Sequence, residues 1–147
     1  MPKQKLALSV QFAVKPDDAP TRPQIRRWTQ AALEREAQIT VRLVAEEEGR
    51  TLNRDYRSKD YATNVLTFVY DEDSALSGDI VLCVPVVSRE AAEQNKTVEA
   101  HYAHLVVHGV LHLQGHDHEN DADAQEMEAR ETQILEKLGY DNPYAEH

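Results

Sequence analysis

The spacing of apolar and polar positions predicts strands and helices in alternation at first, and helices alone thereafter. Four short segments show the alternation or the β-branched and aromatic content that is typical of strands. They are Lys5–Val14, Ile39–Ala45, Thr63–Tyr70 and Gly78–Val84. Segments in this order predict the α+β class, a single four-stranded sheet with helices packed on it, in one domain over 1–147. The pattern leaves the strand order open.

About five helices lie between and after these strands. Capping residues, prolines in a first turn and glycines at an end set their limits. The expected helices run from the Thr21 cap to about Ala37, from about Arg50 to Ser58, through Ser88–Asn95 after Pro85, from near Thr97 to Gly115, and from an Asn120 or Asp121 cap to about Leu138. The acidic stretch Glu46–Gly49 is expected to form a turn.

One of these helices is rich in histidine. The stretch from Glu99 to His118 reads EAHYAHLVVHGVLHLQGHDH and holds six of the seven histidines of the chain. Its apolar run contains no proline, which predicts a helix that is buried on most sides. Because residues four apart stack on one face of a helix, His104, His108 and His112 form a stripe.

The stripe and the turn after it are suited to a metal ion. Gly115 can take the left-handed conformation that ends a helix, so that His116 and His118 return towards the stripe. Two imidazoles one turn apart can bind one ion, and a third can complete the set. A lone buried histidine is more often a core residue, but burying several without a shared purpose is costly. The residues alone leave open whether His116 or His118 is the third ligand.

Two further features narrow the chemistry of such a site. Three ligands with no obvious fourth favour a catalytic metal, because structural zinc is normally closed by four. Metallopeptidases with the HExxH motif use its glutamate as general base, and the corresponding position here is Gly109. Peptide hydrolysis by that route is therefore disfavoured. A glycine in a helix predicts either the close approach of another element or plain packing.

Composition favours a folded intracellular protein. The chain has 147 residues, of which 41% are apolar, so it can bury a proper core. Cys83 is the single cysteine, which excludes an internal disulfide and a multi-cysteine zinc site. No stretch approaches the roughly 18 to 20 apolar residues of a membrane span, and no secretory signal is evident. We expect a cytoplasmic protein with no membrane partner.

The net charge of −10 at first argues against a nucleic-acid partner. Its distribution changes that inference. Residues 117–147 contain ten acidic and two basic side chains, whereas the preceding residues contain 16 acidic and 14 basic ones. The acidity is thus mostly C-terminal, although no broad basic surface is implied. Affinity for a nucleic acid should be modest, with a partner supplying the rest.

Three blocks of the sequence resemble one known family. HGVLHLQGHDH, which begins at His108, resembles the HGxLHLxGxDH signature of the YbeY family of bacterial endoribonucleases, which act in ribosomal RNA maturation. LNRDYRSKDYATNVLTF at Leu52–Phe68 and GDIVL at Gly78–Leu82 resemble the second and third blocks, in the family's order. The chain departs from the family pattern at His116 in place of a usual Tyr, and at Ala62 and Val69 in place of a frequent Pro.

The resemblance implies a set of site residues and a cofactor. The metal ligands would be His108, His112 and His118, with one zinc ion as the usual metal. Arg57 would be catalytic, because the corresponding arginine in YbeY-like proteins is regarded as functionally essential. A guanidinium and a metal can both stabilise the negative charge that builds up when a phosphodiester is cleaved.

Other residues are weaker candidates. Lys59 and Arg54 could contact an RNA backbone, and Asn64 could do so or only cap a turn. His104 could orient a ligand, line the cleft or be a buried hydrogen-bonded histidine. Asp117 could accept a hydrogen bond from an imidazole or cap the loop.

The function implied by the resemblance is that of a zinc-dependent endoribonuclease specific for single-stranded RNA. Its setting would be small-subunit rRNA 3′ end maturation and ribosome quality control, with the small ribosomal subunit, a ribosomal protein and a ribosome-associated GTPase as partners. The sheet would be mixed, mostly parallel with one antiparallel strand. Attack by water and attack by the RNA's own 2′-hydroxyl are both open. The rival hypotheses are a metal hydrolase of another substrate and a metal-stabilised, non-enzymatic ribosome assembly factor.

Overall fold

Four strands form one mixed sheet in a computed structural model, which describes residues 4–71, 75–116 and 120–144. They are β1 (Leu6–Phe12), β2 (Ala37–Val44), β3 (Val65–Asp71) and β4 (Leu76–Cys83). They lie in the order β1-β2-β4-β3. β2 is parallel to both β1 and β4, whereas β3 is antiparallel to β4. The predicted α+β class and its mixed sheet with one antiparallel strand are confirmed.

Five helices are present in the described residues, as predicted, and they are α1 (Arg22–Ala32), α2 (Glu46–Arg57), α3 (Val84–Glu93), α4 (Val98–Leu113) and α5 (Asp121–Lys137). Thr21 and Gln24 form a capping box at the start of α1. Asn120 caps α5 by accepting a hydrogen bond from the backbone N–H of Asp123 at 2.9 Å. Gly139 follows the end of α5 with a positive φ of 95°, as a terminating glycine should.

Two predicted boundaries were wrong. α1 ends at Ala32 and not near Ala37, because Ala37 belongs to β2 and donates its backbone N–H to the carbonyl of Lys5. The acidic stretch expected to be a turn is the first turn of α2, which begins at Glu46. Negative side chains are favoured there because the free N–H groups at a helix N-terminus carry partial positive charge.

α4 lies against β3 and β4 of the sheet and is also packed against α1, α3 and α5. Ten of its residues are buried, which agrees with the predicted burial of this helix on most sides. Gly109 lets the helix approach β4 closely, since a Cβ at this position would lie 3.1 Å from a side-chain carbon of Ile80. The sequence left two roles open for Gly109, the close approach of another element or plain packing. The structure shows the close approach. A smaller apolar cluster that includes Leu66, Val81 and Cys83 packs towards Leu52 of α2.

Among the described residues, no helix has the length and apolar character needed to cross a membrane.

Candidate active site

The end of α2, strand β3 and the exposed side of α4 enclose a cleft of about 260 Å³. Its lining includes Asn53, Arg57, Lys59, Tyr61, His108 and His112. The cleft therefore brings together three predicted site residues that are up to 55 positions apart in the sequence. The roles of Arg57, His108 and His112 in binding and catalysis stay predictions.

Both histidines of the cleft are held by their neighbours. They lie one turn apart on α4, with ring centroids 6.4 Å apart and an angle of 13° between the ring planes. Nδ1 of His112 is 2.8 Å from the hydroxyl of Thr67 on β3. Nδ1 of His108 is 3.4 Å from a carboxylate oxygen of Glu131 on α5. Each ring thus has a protein partner at the nitrogen nearer its own backbone.

Glu131 is buried, with 1% of its surface exposed. The same oxygen, Oε1, lies 2.7 Å from Nε2 of His104 and accepts a hydrogen bond from the hydroxyl of Tyr144 at 2.9 Å. Burial by itself would raise the pKa of Glu131, but the hydrogen bonds and charges of His104 and His108 outweigh it and lower the pKa to about 2. An ionised carboxylate therefore lies in contact with His104 and His108 of α4.

The cleft is positively charged in its lining. Arg57 and Lys59 contribute cations, and no carboxylate is present among the described lining residues. The nearby carboxylates are paired with other arginines, Asp55 with Arg54 at 3.3 Å and Asp60 with Arg50 at 2.8 Å. In the described part of the chain neither Arg57 nor Lys59 forms an ion pair, so both cations remain available to an anion. Arg54, a weaker candidate from the sequence, is not part of the lining.

His101 belongs to the core and not to the cleft. Its Nε2 lies 2.9 Å from Oε1 of Glu90, which also accepts a hydrogen bond from the side-chain amide of Asn64 at 2.9 Å. Burial lowers the pKa of His101, and the hydrogen bond to Glu90 opposes this only in part. Asn64 therefore holds the carboxylate that contacts His101 in the core, and it does not line the cleft.

The third predicted ligand, His118, lies outside the described residues, as does Asp117. Its rival His116 is described, and its Nε2 lies 3.0 Å from a carboxylate oxygen of Glu34, which also pairs with Arg130. His116 is not in the lining of the cleft. Within residues 4–71, 75–116 and 120–144, no group of three or more His, Cys, Asp or Glu side chains is arranged to hold a metal. The three-histidine site consequently stays a prediction.

Comparison with known proteins identifies the family. The family model described as Endoribonuclease YbeY matches residues 13–139. The chain belongs to the YbeY family. The endoribonuclease YbeY of Aromatoleum aromaticum is 65% identical over 144 residues, which cover 96% of this chain and 94% of that protein. The endoribonuclease YbeY of Methylibium petroleiphilum is 58% identical over 145 residues, covering 95% of each.

A solved structure agrees with this assignment. A Thermotoga maritima protein with a solution structure superposes with a TM-score of 0.64 at 29% identity, covering 89% of this chain and 88% of that one. The family resemblance inferred from the three sequence blocks is confirmed, and so is the prediction of an enzyme of the endoribonuclease class.

Sequence reasoning missed two side chains that support the YbeY-like cleft. Thr67 lies within the second family block, but its contact with His112 depends on how β3 packs against α4. Glu131 left a signal that could have been used. It is four residues from both Met127 and Leu135, so it lies on the apolar face of α5. A carboxylate on such a face is expected to have a specific partner.

Proposed function

We propose that this protein is a zinc-dependent endoribonuclease that cleaves single-stranded rRNA, acting in small-subunit rRNA 3′ end maturation and in ribosome quality control. The observation that carries the proposal is the cleft in which Arg57 faces the same space as His108 and His112, in a chain of the YbeY family. Each part of the proposal rests on separate contacts.

A set of three imidazoles would suit one zinc ion. Nδ1 of His108 and Nδ1 of His112 each contact a protein oxygen, and in the proposed site Nε2 of each ring would bind the metal. His118 would supply the third imidazole, and the contact of His116 with Glu34 supports this choice between the two. When bound, zinc would supply a Lewis acid and a water whose pKa falls towards neutrality.

Arg57 would stabilise the charge that develops during cleavage. The scissile phosphate gains negative charge on its oxygens, and a guanidinium can donate two parallel hydrogen bonds to them. Lys59, which also lines the cleft, would neutralise a neighbouring phosphate as a point charge. The absence of carboxylates from the described lining favours an anionic substrate, although the net charge of the chain is −10.

Tyr61 supports specificity for single strands. The residue is 55% exposed and lines the same cleft as Lys59 and Arg57. A base can stack on an exposed aromatic ring only after it has left its own stack, so this combination of ring and cations suits unpaired nucleotides. A duplex would have to open before its bases could make the same contact.

The ribosome is the proposed setting because the chain has no excess of cations with which to hold RNA by itself, with 16 Lys and Arg against 26 Asp and Glu. The small subunit, a ribosomal protein and a ribosome-associated GTPase would deliver the substrate, and this places the activity in the cytoplasm. RNA binding by the isolated protein should then be weak and should fall further as salt increases. Tight binding that did not respond to salt would contradict this part of the proposal.

The experiment that tests the activity compares wild type with His112→Ala, purified identically, on a single-stranded rRNA fragment with and without added Zn²⁺. Wild type should cleave and the variant should not, because the variant lacks one proposed ligand. The paired purification controls for contaminating ribonucleases. Equal cleavage by both proteins would overturn the proposal, and no cleavage by either would favour the assembly-factor hypothesis.

Two additional arms sharpen the result. The same fragment annealed to its complement should be cleaved far more slowly than the free strand, and equal rates would refute single-strand specificity. Analysis of the new ends distinguishes the two possible nucleophiles, because attack by the 2′-hydroxyl leaves a cyclic phosphate whereas attack by water does not. Peptide cleavage without RNA cleavage would favour the rival metal hydrolase.

A further inference from the structure

A second group of side chains lies directly behind the cleft, on the side away from the proposed substrate. We name it the Glu131 network, and it consists of Glu131, His104, Tyr144 and His108. It joins three parts of the chain, because Glu131 is on α5, the two histidines are on α4 and Tyr144 follows α5. The proposed reaction assigns no role to the first three of these residues.

The network is unusually well made for a buried charge. Three polar atoms surround Oε1 of Glu131, with His104 Nε2 at 2.7 Å, the Tyr144 hydroxyl at 2.9 Å and His108 Nδ1 at 3.4 Å. The hydroxyl of Tyr144 is also 3.2 Å from Nε2 of His104, and the two rings meet edge to face with centroids 5.3 Å apart. Because an unpaired buried carboxylate is strongly unfavourable, so many partners imply that the charge is kept for a purpose.

We propose that Glu131 is a positioning residue for the metal site, with His104 and Tyr144 fixing its carboxylate. The proposal rests on the zinc site described above. Through the contact with Nδ1–H, Glu131 would hold the ring of His108 in one orientation and one tautomer, with Nε2 directed to the metal. The negative charge also makes the imidazole a stronger donor, as is common where a metal-bound histidine has a carboxylate partner.

The location of His104 supports this role over direct ligation. His104 is part of the histidine stripe on α4, yet it does not line the cleft. Its Nε2, the nitrogen that would reach a metal, is instead 2.7 Å from Glu131. Of the alternatives that the sequence left open for His104, the contacts favour an indirect one, in which it orients a ligand through Glu131.

The test measures the affinity for Zn²⁺ by competition with a chelator in wild type, Glu131→Gln and Glu136→Gln. Glutamine has the size of glutamate but lacks its charge, so Glu131→Gln should bind Zn²⁺ about 10–100-fold more weakly. Glu136 is exposed on the same helix and serves as the matched control, with an expected change of less than about twofold. The absorption spectrum of bound Co²⁺ should also change in Glu131→Gln, since it reports ligand geometry.

A second variant keeps the test decisive if Glu131→Gln does not fold. Tyr144→Phe removes one hydrogen bond to Glu131 and retains the ring contact with His104, so a smaller weakening of about threefold is expected. Zn²⁺ affinity within twofold of wild type in every folded variant, with an unchanged Co²⁺ spectrum, would overturn the positioning role and leave the zinc site intact. A wild type that binds no Zn²⁺ would instead overturn the zinc site itself.

Discussion

The two halves of α4 use histidine in opposite ways. In the N-terminal half, His101 and His104 face packed helices, and each has a carboxylate partner at 2.9 Å or less. In the C-terminal half, His108 and His112 line an open cleft, and the Nδ1 atom of each lies near a protein oxygen. The residue type is the same throughout, and in each pair the two histidines lie about one helical turn apart, with three residues from His101 to His104 and four from His108 to His112.

This difference shows that the environment, and not the periodicity, separates a core histidine from a candidate ligand. Beside His108 and His112 lies a cleft that reaches Arg57 at the end of α2 and that β3 lines with residues such as Thr67. Nearer the N-terminus of α4, His101 contacts Glu90 of α3 and His104 contacts Glu131 of α5. These contacts join α4 to the neighbouring helices. Substitutions in the two halves should therefore have different consequences.

The largest effect is expected at His108. His108→Ala should weaken Zn²⁺ binding by more than the roughly 10–100-fold that a lost supporting partner costs, because a ligand itself is removed. Cleavage of the rRNA fragment should be lost with it. The far-UV circular dichroism of the metal-free protein should stay that of wild type, since the side chain is 24% exposed. Zn²⁺ affinity unchanged in the variant would remove His108 from the site.

The next largest effect is expected for Arg57. Its substitution tests the role of the cleft without removing a proposed metal ligand. Arg57→Ala should lower kcat/KM for RNA by about 10²–10³-fold, the usual cost of losing a donor to developing negative charge. Zn²⁺ affinity and stability should not change.

Arg54→Ala is the matched control for this experiment. Arg54 is on the same helix, outside the cleft lining and paired with Asp55, so cleavage should stay within about threefold of wild type. Equal losses in the two variants would mean that the net positive charge of α2 matters and that the position of Arg57 does not.

In the N-terminal half the expected loss is one of stability. His101→Ala removes a buried side chain and its contact with Glu90, which should lower the free energy of unfolding by about 2 kcal/mol. Urea denaturation with a chelator present measures this without interference from metal binding, and exposed Glu93→Ala is a suitable control. Zn²⁺ affinity should stay within about threefold of wild type. A stable variant that had lost Zn²⁺ would make the two halves of α4 equivalent.

The strongly periodic parts of the fold could be predicted from the sequence. The spacing of His104, His108 and His112 placed them on one helix, and Gly115, with a φ of 97°, follows the end of α4 as expected. The strand order could not be predicted, because pairing between β2 and β4 joins segments whose own patterns do not specify a partner. The start of α2 was missed because glutamates suit both a turn and a helix N-terminus.

The candidate site was predictable only as far as local spacing and family resemblance reach. Arg57 has no pattern that separates it from any surface arginine, and the resemblance alone selected it. Its place in the cleft depends on how α2 packs against the sheet next to α4. Glu90 is 11 residues from His101, and Glu131 is 27 residues from His104 and 23 from His108, so no helical spacing relates these carboxylates to their histidines.

The smallest expected effect is a change of stability with pH, and it comes from His101 in the N-terminal half of α4. It is measured as a free energy of unfolding and involves no loss of activity. Burial lowers the pKa of His101 in the folded protein, so the unfolded chain takes up a proton there at a higher pH than the folded chain does. The free energy of unfolding then decreases as the pH falls through about 6.5, which is the pKa of histidine in the unfolded chain. The slope is at most about 1.4 kcal/mol per pH unit. Metal-free wild type should therefore lose part of its advantage over His101→Ala between neutral and mildly acidic pH. All other titrating groups are present in both proteins, so their contributions cancel in the difference between the two free energies of unfolding. The exceptions are Glu90, Lys96 and His104, because their charges act on His101 and the substitution can change their own titration. A difference that grew as the pH fell would mean that Glu90 holds His101 protonated in the folded protein, which would make the pair an ion pair and not a neutral core contact.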